Sequence, residues 1–421
     1  MNLHFFDRKN ILITFKTPLR LFWAASLIVS FGFSGFFLYS AFYKWYFTPD
    51  IGTRKETLNI RELPFPAITI CPQTKAKIEF ISFRNTYKTY WENFWLHASD
   101  ADSARFEALL HICEPELTFN IQLNETKPLE SDEIVKILKE ISYSVDESMM
   151  FCKFRSKLRD CSTLFKEILT PYGVCYTMNM FKLSDILRDN VMNKFKSLSK
   201  YDKIPRWALD NGYETNDLDT FPYPIISQQV DGLRIILRTN DVDMDYVCSG
   251  SNQGFKVFTH IPGDSVDQTG KHFFVPVKAD VTVSMTATMT RTSENLLAYK
   301  PQQRKCYLSN ERPLTFFKYY TKNLCNIECL TNYTMEVCGC VEFFMPHENE
   351  TKVCSYSQRN CTIDAKRKMM LSFNKEKSGD YECGCMPSCT DIEYKSEVFQ
   401  TEFDFKRLFD SYRYDLSDTP G

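Results

Sequence analysis

CNIECLTNYTMEVCGC, Cys325–Cys340, places four thiols within sixteen residues, and CGCMPSC, Cys383–Cys389, places three more within seven. Such clusters act as metal ligands, redox catalysts or covalent staples. Zinc sites favour C-x2-C pairs or added histidines. Here the spacings are C-x3-C, C-x-C and C-x-C, and the whole chain has six histidines. A redox C-x-x-C is also missing. Cys338 and Cys340 lie too close to pair readily with each other, as do Cys383 and Cys385, so each needs a distant partner. The downstream cluster is the natural mate of the upstream one, although spacing alone leaves the connectivity open.

The compartment supports staples. LFWAASLIVSFGFSGFFLYSAFY, Leu21–Tyr43, is 23 residues without a charge; as a helix it spans roughly 35 Å, enough for the hydrocarbon core of a bilayer. Trp23 and the group Tyr43, Trp45 and Tyr46 sit where interfacial aromatics belong. Arg8, Lys9, Lys16 and Arg20 precede the run, and Lys44, Arg54 and Lys55 follow it, a slight bias towards a cytosolic N-terminus. Distribution is the stronger cue. All 16 cysteines and the sequons at Asn124, Asn332, Asn349 and Asn360 lie after the run. Disulfides and N-glycans share the secretory lumen or the cell exterior. The expected layout is a cytosolic segment 1–20, a transmembrane helix 21–43 and an extracellular part 44–421. A net charge of −2 argues against a nucleic-acid partner.

Periodicity supplies the coarse structure. LPFPAITICP, Leu63–Pro72, reads as a short strand. SDEIVKILKEIS, Ser131–Ser142, reads as a helix with Ile134, Ile137, Leu138 and Ile141 on one face and Ser131 as its cap. VTVSMTATMT, Val281–Thr290, alternates strictly and reads as a strand. LTFFKYYTKNLCNIECL, Leu314–Leu330, reads as a helix with Cys325 and Cys329 on one face. Mixed strands and helices make the class α+β.

FPAITICP (Phe65–Pro72), PYGVCYTMNM (Pro171–Met180), KCYLSNERPLTFFKYYTKNLCNIECLTNYTMEVCGCVEFFMP (Lys305–Pro346) and CGCMPSCTDIEY (Cys383–Tyr394) form a series. It resembles the degenerin/epithelial sodium channel family, most of all its insect pickpocket branch. The resemblance implies a plasma-membrane, amiloride-sensitive-type, sodium-selective cation channel, ligand- or mechano-gated, a homo- or hetero-trimer with related subunits. It also implies a disulfide-rich ectodomain with a β-sheet palm, a β-ball and helical finger, knuckle and thumb, the thumb falling at about residues 300–395. The family's pairing, carried over, joins Cys71 to Cys175, Cys152 to Cys161, Cys306 to Cys389, Cys325 to Cys385, Cys329 to Cys383, Cys338 to Cys361 and Cys340 to Cys354. Cys113 and Cys248 are left, as an eighth bridge or with a free thiol. No cofactor is implied.

The family also has a pore-lining second span with a G-x-S filter. The 32 residues after Cys389 contain no long apolar run, so that span, the filter and the last palm strand are expected to be missing. The family's His-Gly pair before the first span has no counterpart, since Phe5 follows His4. The expectation is a subunit cut short at both ends that conducts nothing alone. Two rival readings stand beside it. DVDMD, Asp241–Asp245, has the D-x-D spacing of a metal–nucleotide site in a Golgi type II glycosyltransferase, against a solvated acidic loop. A single-pass regulatory or adhesion protein is the other. DNGYETNDLDT, Asp210–Thr220, reads as a proton- or calcium-sensing pocket or as plain surface. Tyr43, Trp45, Tyr46 and Phe47 read as a coupling element or an interfacial belt. H-E-x-x-H, G-x-S-x-G and P-loop motifs are lacking, so no enzyme is expected.

Overall fold

The computed structural model describes residues 17–47, 52, 54–93, 100–113, 129–192, 204–215, 217–226, 232–266, 271–373, 383–408 and 410–411. His4, Asn124 and the tail 412–421 lie outside the described residues. The chain divides into two compact units, one comprising Met1–Glu56 with Ser293–Lys305, the other Thr57–Thr292 with Cys306–Gly421.

In the first unit, helix α1 runs over Thr17–Phe47. Its stretch Leu21–Phe47 has a mean hydropathy of 1.9 and is unburied along its length, so it is long and apolar enough to cross a membrane. Being apolar on every side suits lipid contact rather than one-sided packing. The helix continues past Tyr43 to Phe47, with aromatic rings in contact along it: Tyr43 tilted against Phe47 at 4.7 Å and Phe42 stacked on Tyr46 at 5.9 Å.

The second unit is α+β. Its main elements are β1 (Ala67–Pro72), α2 (Phe83–Asn93), α3 (Asp100–Leu110), α4 (Ser131–Ile141), β2 (Met149–Phe154), β3 (Lys157–Arg159), β4 (Lys166–Thr170), β5 (Gly173–Met178), β6 (Leu233–Leu237), β7 (Gly254–His260), β8 (His272–Pro276), β9 (Ala279–Arg291), α5 (Lys322–Cys338), α6 (Arg359–Phe373) and β10 (Thr390–Glu402). An antiparallel five-stranded sheet runs in the order β8-β7-β1-β5-β4. Strands β1 and β5 are buried at every position, which is why AITICP shows a continuous apolar run rather than alternation. Ala67 and Cys71 face a cluster containing Phe317, Tyr320 and Leu324; Ile68 and Ile70 face one containing Phe154, Phe165 and Tyr176. Gly254 is fixed by crowding: at φ 133°, any Cβ would strike the Val275 carbonyl of β8. A separate ribbon pairs β9 with β10 from Ala279–Glu402 to Arg291–Thr390.

Three expectations change. Helix α4 begins at Ser131, but its N-cap is Glu130, whose N–H donates to the Glu133 carboxylate at 3.3 Å; Ser131 is already helical. The segment from Leu314 to Thr321 is not helical, and the helix starts only at Lys322. The backbone of 316–318 instead pairs with 186–188: Arg188 N–H donates to the Phe316 carbonyl at 2.9 Å, and Lys318 N–H to that of Ile186 at 2.9 Å. Finally, residues 390–402, for which the sequence suggested no strand, form a full strand on β9. Its partner positions place Ile392 and Tyr394 opposite Met289 and Ala287, and this short apolar stripe suffices to set register.

Candidate functional site

The site is a helix pair fastened covalently to a returning strand. Thr321, in extended backbone, accepts the Leu324 N–H at 3.0 Å and opens α5. Gly339 closes it, its φ of 69° letting its N–H reach the Met335 carbonyl. Four residues along a helix advance about 6 Å, so Cys325 and Cys329 leave one face a turn apart. They join Cys385 and Cys383, each with Cα atoms 5.8 Å apart. Cys306–Cys389 encloses both, giving three nested rungs. Cys338–Cys361 and Cys340–Cys354 fasten the far end of α5 to α6 and to the loop before it. Elsewhere Cys71 joins Cys175 across neighbouring strands, Cys152 joins Cys161, and Cys113 joins Cys248.

Polar contacts complete the brace. The Arg312 guanidinium donates to the Cys383 carbonyl at 2.7 Å and to that of Gly384, and lies 5.7 and 5.9 Å from the ring centres of Tyr307 and Tyr320. The Tyr320 hydroxyl, pushed up to about 12 by burial, donates to the Met386 carbonyl at 2.5 Å. Glu328, on α5, accepts the N–H groups of Thr315 at 3.0 Å and Phe316 at 2.9 Å; this capture holds the preceding segment out of the helix. Asp264, beyond the end of β7, accepts from Asn323 Nδ2 at 2.8 Å, Ser265 N–H at 2.8 Å and the Thr321 hydroxyl at 3.3 Å. A carboxylate against the first turn of α5 also complements its dipole. Beside it, burial holds the His260 imidazole down at about 4, and its ring lies 3.0 Å from both the Ile261 carbonyl and the Thr69 hydroxyl.

At the base, Thr292 donates through its N–H and its hydroxyl to the Cys389 carbonyl at 3.0 and 2.9 Å. Tyr307 N–H donates to the Pro387 carbonyl at 3.0 Å, and the Tyr307 carbonyl accepts the Cys389 N–H at 2.8 Å. The ribbon is tied down where the buried Tyr394 hydroxyl, raised by burial, donates to the Pro64 carbonyl at 2.9 Å. Within the first unit, Gln303 Nε2 donates to the Tyr46 carbonyl at 3.2 Å, at the C-terminal end of α1. The chain segment leading into Cys306 therefore touches the aromatic end of the apolar helix.

The other candidate residues fall out differently. In DVDMD, Asp243 accepts the Ile78 N–H at 2.7 Å and the Tyr143 hydroxyl, while Asp245 accepts from Val247, Cys248 and Arg84 N–H groups at 2.8 to 3.2 Å. These carboxylates are engaged in capping and tying loops. In the acidic run, Asp210 accepts the Ser309 N–H at 2.9 Å. No cluster able to hold a metal occurs among the described residues. Asn332, Asn349 and Asn360 are exposed. Arg312, Glu328 and Asp264 were not singled out by sequence; only Glu328 carried a signal, sharing a helix face with Leu324 and Thr331.

A family profile described as "Amiloride-sensitive sodium channel" matches residues 3–419. Pickpocket protein 28 of Drosophila melanogaster is 24% identical over 392 residues, covering 90% of this chain and 60% of that protein. Acid-sensing ion channel 2 of Homo sapiens is 23% identical over 390 residues, covering 90% and 65%. Pickpocket protein 11 of Drosophila melanogaster is 28% identical over 174 residues, covering 41% and 32%. The chain thus spans less than two thirds of the length of these relatives.

Proposed function

The chain belongs to the amiloride-sensitive sodium channel family, and from that premise we propose that it is a subunit of a sodium-selective, amiloride-sensitive cation channel of the plasma membrane, assembling as a trimer with copies of itself or related subunits. Its chemistry is mechanical rather than catalytic. Helix α1 anchors it with the N-terminus in the cytosol, and residues 44–421 lie outside, glycosylated at Asn124, Asn332, Asn349 and Asn360. The helix pair of α5 and α6, within a thumb of about 300–395, works as a stiff lever. The observation that carries this reading is the nested set of bridges at Cys306, Cys325 and Cys329, closed at its base by the Thr292–Cys389 contacts. A displacement of the helices is then passed to the β9–β10 ribbon instead of being absorbed by bending.

Co-expression with a related subunit, cross-linking and voltage clamp test it. The expected result is a trimeric adduct containing this chain and a sodium current, blocked by amiloride, whose amplitude changes when this chain is included. Recovery of the chain only as an uncomplexed polypeptide, with currents unaltered, rejects the subunit reading.

A further inference from the structure

A cavity of about 130 Å³ lies between the edge of the central sheet and the inner faces of α5 and α6. Strand β4 contributes Ile168 and Leu169, the segment after β5 contributes Met180 and Ile186, α5 contributes Ile327 and Leu330, and α6 contributes Met369 and Met370. All of these are apolar. We propose that this cavity is a binding site for a small, neutral, apolar compound about the size of one six-membered ring.

Size and chemistry argue together. A closed space of roughly 150 Å³ lined by aliphatic and aromatic side chains takes up benzene, and this partly open, mostly apolar pocket offers a similar volume. Polar groups reach its lining at Thr170, Ser265, Asn326 and Lys366, enough to orient one hydroxyl or carbonyl of the guest. Four methionines, Met180, Met345, Met369 and Met370, line it. Their unbranched, polarizable side chains adjust to ligands of differing outline and contact ring edges favourably. A carboxylate or ammonium ligand is disfavoured, since its charge would give up hydration against a mostly apolar lining, and the one lining cation, Lys366, already faces the Glu342 carboxylate. The position matters as much as the chemistry. The cavity touches both bridged helices and the sheet that carries Cys71 and Cys175, so a guest there bears on the joint at which the helix pair leaves the sheet. Binding does not depend on the channel reading and is measured without current.

The test uses the whole chain in lipid nanodiscs, with 4-fluorotoluene as the probe and ¹⁹F NMR as the readout. A bound resonance distinct from the lipid-partitioned one is expected, saturating with concentration. Met370→Trp, which fills the cavity from α6, is expected to remove at least nine tenths of that resonance. Should that variant fail to fold, Leu330→Phe fills the same space from α5. Equimolar 4-fluorobenzoate is expected to give no bound resonance. The proposal is overturned by the absence of a saturable resonance in the unmodified chain, or by one that persists in a folded cavity-filled variant. Equal occupancy by the benzoate overturns the neutral class of ligand.

Discussion

The central sheet and the braced helix pair hold themselves together by opposite means. Strands β1 and β5 are buried at all positions, between two apolar clusters, and one bridge, Cys71–Cys175, crosses them. Helix α5 buries Leu324, Cys325, Glu328, Cys329, Thr331 and Thr334. Only one of those six is an ordinary hydrophobic side chain. A helix with so little apolar face gains little from burial, and five bridges between Cys306 and Cys389 replace what the core does not supply. The difference teaches where motion is permitted. The sheet is held mainly by packing, whereas the helix pair is held mainly along its rungs.

The sharpest way to break the comparison is to cut the rungs. Replacing Cys325, Cys329, Cys383 and Cys385 with Ser is expected to lower the opening free energy of α5 by roughly 4 kcal/mol, while removal of the Cys329–Cys383 rung alone costs about 2–3 kcal/mol because its neighbour still closes most of the loop. Amide hydrogen exchange reads both, with amides of β1 and β5 unchanged. Equal loss of protection in the sheet would show that the two regions are one cooperative unit.

Acid probes the packed side. His111, on the turn after α3, is buried edge-on to Phe343 and Tyr356, and neither ring nitrogen has a hydrogen-bond partner. Burial first, and Arg359 second, hold its imidazole down at about 3. The unfolded chain takes up this proton near pH 6.5 and the folded chain only near 3. Its contribution is therefore complete above pH 6.5 and is lost as pH falls from there towards 3, about 3 kcal/mol by pH 4. His111→Phe, keeping the ring contacts, is expected to flatten that part of the stability–pH curve. An unchanged slope in denaturant melts between pH 7 and 4 would assign the acid lability elsewhere.

Glu328 tests whether polar capture or covalency keeps 314–321 out of the helix. Glu328→Ala strands the buried Phe316 N–H and releases the more exposed Thr315 N–H, with an expected loss of about 2 kcal/mol; Glu328→Gln, retaining one acceptor, should lose about half of that. Circular dichroism distinguishes the outcomes, because extension of α5 backwards through Tyr320 would raise helical signal as stability falls.

How much of this was legible beforehand follows the same division. The apolar run, the buried strand at Ala67–Pro72 and the alternating strand at Val281–Thr290 are read from side-chain pattern, because burial selects residue type at each position. Helix α5 was placed eight residues early. Leu314, Phe316, Phe317 and Tyr320 mimic a helical stripe, and what ends that stripe is a pair of long-range contacts, Glu328 to Thr315 and Arg188 to Phe317, invisible to local periodicity. The strand Thr390–Glu402 was missed for the converse reason. It pairs with β9 through backbone bonds, and most of its outer positions are exposed and polar, so composition marks it weakly. Arg312 was silent because a guanidinium clamping carbonyls leaves no spacing signature.

That clamp gives the smallest effect and the finest distinction. Arg312 holds the Cys383 and Gly384 carbonyls and stacks near two tyrosine rings. Lysine keeps the charge but has neither the planar fork nor the stacking face. Arg312→Lys is therefore expected to cost about 1 kcal/mol, since the flanking bridges at Cys383 and Cys385 keep the segment in place regardless. In a chain already lacking the Cys329–Cys383 rung, the same substitution should cost more, because the clamp then becomes the nearest restraint on that end of the segment. A double-mutant cycle read by exchange at α5 supplies the coupling. A coupling of zero would mean that covalent and polar restraints act on separate stretches, and the picture of a single rigid lever would give way to two independently hinged pieces.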